Sequence, residues 1–360
     1  MRRTAQDAGV RVETIHPKEL GPAEIARWRA HQRALDYLRS PYLTPDWAQL
    51  IGALRDDARI CVLEDGMGFL AVQRLSRFAA MGLGAPIADY QGLIAERALT
   101  LDAGALCREL RVGRIDLVNA APGSIKSPAG ADASWIADVS GGRDLYEAAL
   151  RARRAEFVRQ TDKKARKFAR ESGELEIRAR STERMDFETL IRWKNDQLQR
   201  SGQPLIWAKP WVRQALEACF ERDTPDFGGA LFTLHASGKL AAAAFCIRSA
   251  SVLHLWLLGH DDRFDRFSPG IHLTRAIVHW AGDHGFAEVD FGAGDYQYKR
   301  QLSTRQRMLE RGVMAGASLS GALRRTAHGL RARMERLPQE RLAALPGRAM
   351  RRLDLMRALA

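Results

Sequence analysis

Residues 260–302 constrain the fold of this chain more than any other stretch, because they contain a helix start, an amphipathic helix and a strand exit in succession. They read HDDRFDRFSPGIHLTRAIVHWAGDHGFAEVDFGAGDYQYKRQL. Ser268 suits the N-cap of the helix, Pro269 suits its first position, and Gly270 leaves the backbone amides uncovered. One face of the helix is apolar, which predicts that it packs on a sheet. That face consists of Leu273, Ala276, Ile277, Trp280 and Ala281.

The strand after this helix leads into a polar and aromatic turn. Gly285 can close the helix, and residues 289–292 (VDFG) are typical of a short strand. Gly292 and Gly294 allow the chain to turn sharply. The residues that follow the turn include Asp295, Tyr296, Tyr298 and Lys299.

The start of the same helix is a candidate anion site. Its uncovered amides are preceded by Arg263 and Arg266, and this combination favours a bound phosphate or pyrophosphate. The alternative is an ordinary capped helix without a ligand.

Length and charge limit the class of protein. With 360 residues, 46% of them hydrophobic and 28% charged, the chain predicts two globular domains with extensions. Its N-terminus has no apolar segment typical of a secretory signal, and no run is long enough to span a membrane. Four widely spaced cysteines indicate buried thiols in a reducing cytoplasm and no metal site. They are Cys61, Cys107, Cys219 and Cys246.

Helices and strands follow one another in the same order in both halves. Each half reads as two helices, a hairpin, a further helix and a strand, with residues 252–258 as a central strand buried on both faces. Residues 120–133 are rich in Ala, Pro, Gly and Ser and mark the boundary. The order is that of α/β or α+β layers.

Several motifs of this chain resemble one acyltransferase family. Phe267 to Gly270, residues 289–295 (VDFGAGD) and the Tyr298-Lys299 pair are similar to the acetyltransferase domain of the CelD/BcsL family. This GNAT family is linked to cellulose and exopolysaccharide biosynthesis and is similar to the FemABX transferases. In the first half, residues 40–47 and 88–92 also resemble motifs of the family. The usual GNAT pyrophosphate signature is absent, since Arg266 to Ile271 supplies only one glycine.

The resemblance implies a fold and a domain organisation. We expect two tandem GNAT-like domains, each with a mixed, mostly antiparallel central sheet flanked by helices. Residues 10–140 form a degenerate N-terminal copy, residues 145–310 the acetyltransferase domain, and residues 311–360 a basic helical tail.

The resemblance also implies the chemistry. The donor is acetyl-CoA or another acyl-CoA, and the acceptor is a sugar or polysaccharide precursor, modified at N or O. Asp295 and His260 are the preferred candidates for the general base, and Tyr298 can protonate the leaving thiolate. Asp290 is a weaker candidate, because within a strand it can equally satisfy neighbouring amides. His254, in an apolar strand, fits a core histidine.

Further residues are expected to bind the donor and the acceptor. The donor phosphates are expected on Arg263, Arg266, Ser268, Gly270 and Ile271. The acceptor is expected on Lys299, Trp193, Lys194, Gln197, Asp89 and Tyr90, although Trp193 can equally be a core residue.

The net charge of +13 is unevenly distributed. Residues 311–360 contain eleven arginines and three acids, a net charge of +8, among regularly spaced leucines and methionines. Basic amphipathic helices of this kind suit an anionic membrane surface and a lipid-linked acceptor, which predicts a cytoplasmic protein at the inner face of the membrane. Equally, the tail can pack on its own domain.

Two alternatives to acetyl transfer remain open. A second basic run, residues 151–170, suits a FemABX-like aminoacyltransferase that holds aminoacyl-tRNA. A non-catalytic nucleic-acid- or membrane-binding protein is more remote, because few aromatic residues accompany the basic ones.

Overall fold

The computed structural model describes residues 10–96, 99, 101–335 and 345–359. Its contacts divide the chain into two compact units. The first consists of Met1–Asp132 and Met308–Ala360, and the second of Ala133–Arg307. The C-terminal segment, which we expected as a separate tail, therefore groups with the first unit.

The described chain contains the following helices and strands. In chain order they are β1 (Val12–Ile15), α1 (Pro22–Ala34), α2 (Pro45–Leu54), β2 (Ala58–Leu63), β3 (Gly68–Ser76), β4 (Ala79–Gly82), β5 (Leu93–Ile94), α3 (Ala103–Glu109), β6 (Ile115–Ala120), β7 (Gly130–Asp138), α4 (Gly142–Ser172), β8 (Leu175–Arg178), α5 (Arg184–Arg200), α6 (Pro210–Glu221), β9 (Asp223–Thr224), β10 (Phe227–Ala236), β11 (Lys239–Ser249), β12 (Val252–His260), α7 (Pro269–Asp283), β13 (Glu288–Ala293), α8 (Gln297–Leu302), β14 (Arg305–Met314), α9 (Leu319–Met334) and α10 (Leu345–Leu359).

The first unit is built on a sheet with the strand order β1-β2-β3-β4-β6-β14, and β5 pairs with β3. All of these pairs are antiparallel except β4–β6. Strand β14 completes the sheet, although it follows the whole second unit in the chain. Helix α2 begins at Pro45, because the Thr44 hydroxyl accepts a hydrogen bond from the Trp47 amide at 3.0 Å and proline suits the first helical position.

The second unit repeats this plan. Its strand order is β7-β13-β12-β11-β10-β8, with β9 on β10, and only β12–β13 is parallel. Helix α7 packs with Leu273, Ile277 and Ala281 fully buried in the core that it shares with the sheet. The predicted fold class, mixed α/β with mostly antiparallel sheets flanked by helices, is confirmed.

Some elements differ from the sequence prediction. The apolar positions from Pro22 to Leu38 favour a single helix, but helix α1 ends at Ala34, because Leu35 adopts an extended conformation and residues 36–38 form a separate 3-10 turn. Strands β4 and β14 were not predicted. Strand β4 is a four-residue stretch, AAMG, which is too short to show an alternation of apolar and polar residues. The second carries buried Arg307 at an inward position, where an apolar residue is expected.

The C-terminal helices pack on the first unit. The Arg324 guanidinium contacts Asp354 of α10 at 2.5 Å and Asp116 of β6 at 3.0 Å, and all three side chains are buried. Ala358 is fully buried against Met81 and Ala85. Other parts of the predicted tail, including Leu337, Pro338 and Leu342, lie outside the described residues. Within the described ranges, no helix is both long and apolar enough to cross a membrane.

The four cysteines are buried and free, as the sequence predicted. Burial raises the pKa of the Cys61 thiol to about 12 and also raises the pKa values of Cys107, Cys219 and Cys246. These thiols therefore stay protonated near neutral pH and act as core residues.

Candidate active site

The two parallel strands of the second unit separate at the centre of the sheet. Strands β12 and β13 pair only from Val252 with Glu288 to His254 with Asp290. Beyond this point β12 continues to His260, still paired with β11 on its other edge, and β13 continues to Ala293. In the part of the chain that the structure describes, β12 and β13 do not pair beyond His254, so the two strands separate there and form a cleft.

The start of helix α7 lies beside this part of β12. A side chain added at Gly270 would meet Leu258 at 3.6 Å and His260 at 3.9 Å. Pro269 has no amide hydrogen, and the amide of Ile271 donates to the Ser268 carbonyl at 3.0 Å. Within the described part of the chain, no acceptor contacts the Gly270 amide, which can therefore bind a ligand.

Ser268 occupies the N-cap position and Pro269 the first helical position, as predicted. Ser268 has left-handed backbone angles, φ 58° and ψ 52°, and its side chain does not cap the helix. Instead, its hydroxyl accepts a hydrogen bond from the Lys164 ammonium of α4 at 3.0 Å. Lys164 could not be placed at this helix start from the sequence, because 104 residues separate it from Ser268.

The two arginines expected at the donor phosphates have acidic partners. Arg263 makes a two-pronged contact with Asp261, with a shortest distance of 2.6 Å. Arg266 lies 3.3 Å from Glu171 and stacks its guanidinium over the Phe267 ring, 4.6 Å from the centroid. Both side chains are exposed, so a phosphate can compete for them only by displacing these carboxylates.

The candidate catalytic residues occupy different positions at the cleft. His260 ends β12, and its Nε2 lies 2.6 Å from an Asp265 carboxylate oxygen. Asp295, in the turn after β13, is exposed and lies 2.7 Å from the Arg300 guanidinium. Tyr298 is half-buried and packs against the core of the unit. Their catalytic roles stay predictions.

Two lysines lie on opposite walls of the cleft. The buried Lys299 ammonium donates to the carbonyls of Gly292, at 3.3 Å, and Ala293, at 2.7 Å, both on the β13 side. Lys194 of α5 lies 3.5 Å from the Leu258 carbonyl of β12 and 2.7 Å from the Gln197 amide oxygen. Burial, and next the charge of Lys299, lower the pKa of Lys194. The cleft therefore concentrates positive charge.

Trp193 packs on the same strand. A side chain added at Gly259 would meet its ring at 3.3 Å and Leu190 at 3.0 Å. A larger residue at position 259 would press on both side chains, which shows how closely α5 approaches β12. Trp193 is half-buried here, which fits both the wall of the cleft and the core.

A buried polar network supports the strand junction. One oxygen of fully buried Asp290 accepts hydrogen bonds from the Ser134 hydroxyl and the Gly292 amide, both at 2.7 Å. Arg307 contacts Glu288 at 2.9 Å and Asp290 at 3.8 Å. His254 is also fully buried, with Nδ1 3.7 Å from Asp290. Asp290 thus binds the backbone that turns into the cleft. This contact agrees with the alternative that Asp290 satisfies neighbouring amides.

The acceptor residues expected from the first half, Asp89 and Tyr90, lie in the first unit. Tyr90 is 1% exposed. With Tyr42 and Trp47 it lines a cavity of about 10 Å³. That volume holds no more than one water molecule. Residues 40–47 and residues 88–92, the two motifs of the first half, therefore pack together in the core of the first unit.

One group of side chains near the cleft has the chemistry of a cation site. Ligand atoms of His260, Asp262 and Asp265 lie within 4.8 Å of one another. All three side chains are partly or fully exposed, and such groups commonly occur without an ion.

Comparisons with known proteins agree with this geometry. Residues 141–300 match the family model described as "Acetyltransferase (GNAT) domain". A sequence comparison with curated proteins finds no significant match.

Solved structures share the fold at low sequence identity. The C-terminal domain of a putative lysylphosphatidylglycerol synthetase from Agrobacterium fabrum has a TM-score of 0.53 at 11% identity, covering 85% of this chain and 96% of its own. FemX has a TM-score of 0.53 at 12% identity, covering 88% and 100%. A conserved protein of unknown function from Bacteroides thetaiotaomicron has a TM-score of 0.50 at 10% identity, covering 82% and 97%.

The match covers α4 to α8, which include both strands of the cleft and the helix start beside it. Residues 141–300 of this chain are therefore similar to a GNAT acetyltransferase domain, and the protein is an acyltransferase.

Proposed function

We propose that this protein transfers an acetyl group from acetyl-CoA to an amine or hydroxyl of a sugar or polysaccharide precursor in cell-envelope or exopolysaccharide biosynthesis. The separation of β12 from β13, with the start of α7 against the open edge of β12, carries the proposal. The Gly270 amide and the Lys164 ammonium are the groups that would contact the donor phosphates. The resemblance to CelD/BcsL motifs supports the class of acceptor.

The reaction requires three events at the cleft. The acceptor attacks the thioester carbonyl while a base removes its proton, and the carbonyl oxygen becomes an oxyanion. Backbone amides of the open β12 edge near Leu258 are the proposed donors to this oxyanion. The intermediate then collapses, and the thiolate leaves with a proton. We propose His260 or Asp295 as the base and Tyr298 as the acid, because all three border the same cleft.

The acceptor side of the proposal follows from charge. Lys194 and Lys299 bring two ammonium groups to the cleft, where they contact the carbonyls of Leu258, Gly292 and Ala293. An acceptor that carries a phosphate or carboxylate would be attracted there. A lipid-linked precursor fits the exposed leucines of α9, and we propose peripheral membrane contact through α9 and α10.

Binding of acetyl-CoA tests the donor. We expect calorimetric titration of the purified protein to show saturable binding of acetyl-CoA and of desulfo-CoA. Gly270→Asp should abolish both, because a carboxylate at the helix start repels the phosphates and opposes the positive end of the helix dipole. Gly270→Ala is the matched control, since its methyl group meets Leu258 at an ordinary 3.6 Å and should leave the affinity within about threefold. Absence of binding in a folded protein would contradict the proposal.

An aminoacyl donor carried on tRNA is the second candidate. Helix α4 exposes Lys163 and Arg166, and among the described residues neither has an acidic partner within 4.0 Å. FemX shares the fold, which by itself shows no activity. If the protein binds no CoA compound but binds aminoacyl-tRNA, and the double change Lys163→Glu/Arg166→Glu weakens that binding, this candidate replaces acetyl transfer.

A further inference from the structure

The first unit contains a second large space that shares no residue with the candidate active site. It is a half-open cavity of about 1450 Å³ between the start of α3, the segment after β6, the end of β14 and one face of α9. Ligand pockets for small molecules usually measure about 300–1,000 Å³. The cavity is therefore large enough for an extended ligand.

The wall of this cavity is apolar in part. Some of its apolar side chains also pack against the core of the first unit, so a ligand there would continue that core. The apolar lining includes Val10, Leu99, Leu101, Ile125, Val313 and Met314. A hydrocarbon chain placed against this wall would gain about 0.8 kcal/mol for each methylene that it buries.

Charged groups line the rest of the cavity, and positive charge prevails. Arg108, Lys126 and Arg325 face one acid, Asp102. Asp102 is already engaged, since it accepts a hydrogen bond from the Gly104 amide at 2.8 Å and lies 3.7 Å from Arg108. Arg325 is 3.5 Å from the Ala315 carbonyl. Among the described residues no acid lies within 4.0 Å of Lys126 or Arg325, so an anionic group would find cations here.

One buried side chain in the lining lacks a partner. His328 is 7% exposed, and its Nε2 makes no hydrogen bond with any described residue. Burial, and next the charge of Arg324, lower the pKa of His328 to about 4, so the ring is neutral at pH 7. A buried polar atom without a partner costs about 1–3 kcal/mol. A ligand with a polar head beside His328 would remove this cost.

We propose that this cavity binds an anionic amphiphile, a molecule with one hydrocarbon chain and a phosphate or carboxylate head. The apolar wall receives the chain, Lys126 and Arg325 attract the head, and His328 hydrogen-bonds it. The site is separate from the acyl-donor cleft, and the proposal does not depend on the acetyl donor.

Helix α9 shows how such a ligand could reach the protein from a membrane. Leu319, Leu323 and Leu330 are 78%, 63% and 56% exposed. At 3.6 residues per turn these leucines project within about 40° of one another, whereas His328 projects roughly half a turn away. One face of α9 is thus an exposed apolar stripe, and the other lines the cavity.

A binding experiment with dodecyl phosphate tests the proposal. We expect calorimetry on the full chain, below the micelle concentration of the ligand, to show saturable binding at one site. Inorganic phosphate should bind at least about tenfold more weakly because it lacks the chain, and neutral dodecyl maltoside should do so because it lacks the charge. Vesicles of anionic lipid, added as competitor, show whether a lipid in a bilayer reaches the same site.

Gly329→Leu is the decisive variant. Nothing lies within 4 Å of a side chain added at Gly329, which lines the cavity, so a leucine can occupy the space without a clash. It should abolish dodecyl phosphate binding while the melting temperature stays equal or rises, since leucine favours a helix more than glycine does. Arg325→Ala should weaken binding about tenfold, and Arg333→Ala, on the same helix outside the cavity, should not change it.

Three outcomes would overturn the proposal. They are the absence of dodecyl phosphate binding in folded protein, equal binding of dodecyl maltoside, and unchanged binding in a folded Gly329→Leu variant. The last result would place the ligand elsewhere on the surface.

Discussion

At the scale of single residues, the cleft depends on two lysines that are held by backbone carbonyls. Lys299 connects the carbonyls of Gly292 and Ala293, and Gly292 has a φ of 73°, which is reached easily only by glycine. Lys194 is positioned by Leu258 and Gln197. The turn after β13 therefore does more than change the direction of the chain, because it fixes one ammonium group opposite another.

This arrangement predicts how Lys194 titrates. Its pKa is lowered by burial and by the like charge of Lys299. We expect Lys299→Met to raise the pKa of Lys194 only part of the way to the ordinary lysine value, because the repulsion is lost while burial, the larger cause, remains. Carbon-13 NMR of reductively methylated protein follows each dimethyl-lysine through a pH titration, with Lys194→Met assigning the signal. A Lys194 pKa that does not change in Lys299→Met would refute the coupling.

Sequence alone predicted where the helix starts but not the partners of its first residues. Ser268, Pro269 and Gly285 could be placed because capping depends on neighbours a few residues away. The pairing of Arg266 with Glu171, or the approach of Lys164 to Ser268, requires the packing of α4 on α7. Such contacts between distant parts of the chain are not encoded in a local pattern.

At the scale of elements, α4 and α7 are joined by a partly buried charge cluster. Glu147 of α4 contacts the Arg275 guanidinium and lies 3.0 Å from His279, both on α7, and Arg275 also contacts Asp162 at 2.6 Å. Although burial opposes ionisation, the hydrogen bonds from Arg275 and His279 keep the pKa of Glu147 below its usual value. The cluster holds α4 against the helix whose start faces the cleft.

The cluster predicts a stability that depends on pH. Because the pKa of Glu147 is lower in the folded protein, its contribution is fully present above the unfolded value, near 4.3, and is lost as pH falls through the folded value. We expect Glu147→Gln to reduce the free energy of unfolding by about 2–4 kcal/mol at pH 7. The difference from wild type should shrink in urea titrations below about pH 4.

The exposed pair Arg159 and Glu156 on the same helix gives the control. Glu156→Gln should change stability far less than Glu147→Gln does, because its side chain is exposed. A loss in Glu147→Gln that persists unchanged below pH 4 would show that packing, and not charge, joins the helices.

Most helices and hairpins could be predicted because their apolar residues recur at regular spacing. The strands that were not predicted show where such spacing fails. Strand β14 contains Arg307 at a buried position, paired with Glu288. An inward arginine breaks the alternation of apolar and polar residues on which strand prediction depends. The acid that neutralises it lies 19 residues earlier, so only the folded sheet explains the pattern.

At the scale of the whole molecule, neither compact unit is complete where the family match ends at residue 300. The first unit needs β14 beside β6, and the second needs Arg307 beside buried Glu288 and Asp290. Expression of residues 141–300 alone would leave these two carboxylates without their arginine. The chain therefore cannot be cut at residue 300, where the family match ends, without loss to both units.

Truncation tests this dependence. A chain that ends at Thr304 should fail to form a soluble monomer, because β6 becomes an exposed edge and Glu288 loses its partner. A chain that ends at Glu335 keeps β14 and α9 and should keep the oligomeric state of the full chain, with a lower melting temperature because Arg324 loses Asp354. Size-exclusion chromatography and hydrogen exchange of residues 115–120 measure both effects. A well-folded monomer ending at Thr304 would contradict the role of β14.

The return of β14 to the first unit also has a consequence for synthesis on the ribosome. The Gly123 amide donates to Glu310, 187 residues later in the chain, so this part of the first unit waits for the entire catalytic domain to be translated. At about 5–20 residues per second, the delay is roughly 10–40 s. During that time the nascent chain presents the β6 edge to its neighbours on the polysome, where pairing between chains competes with folding.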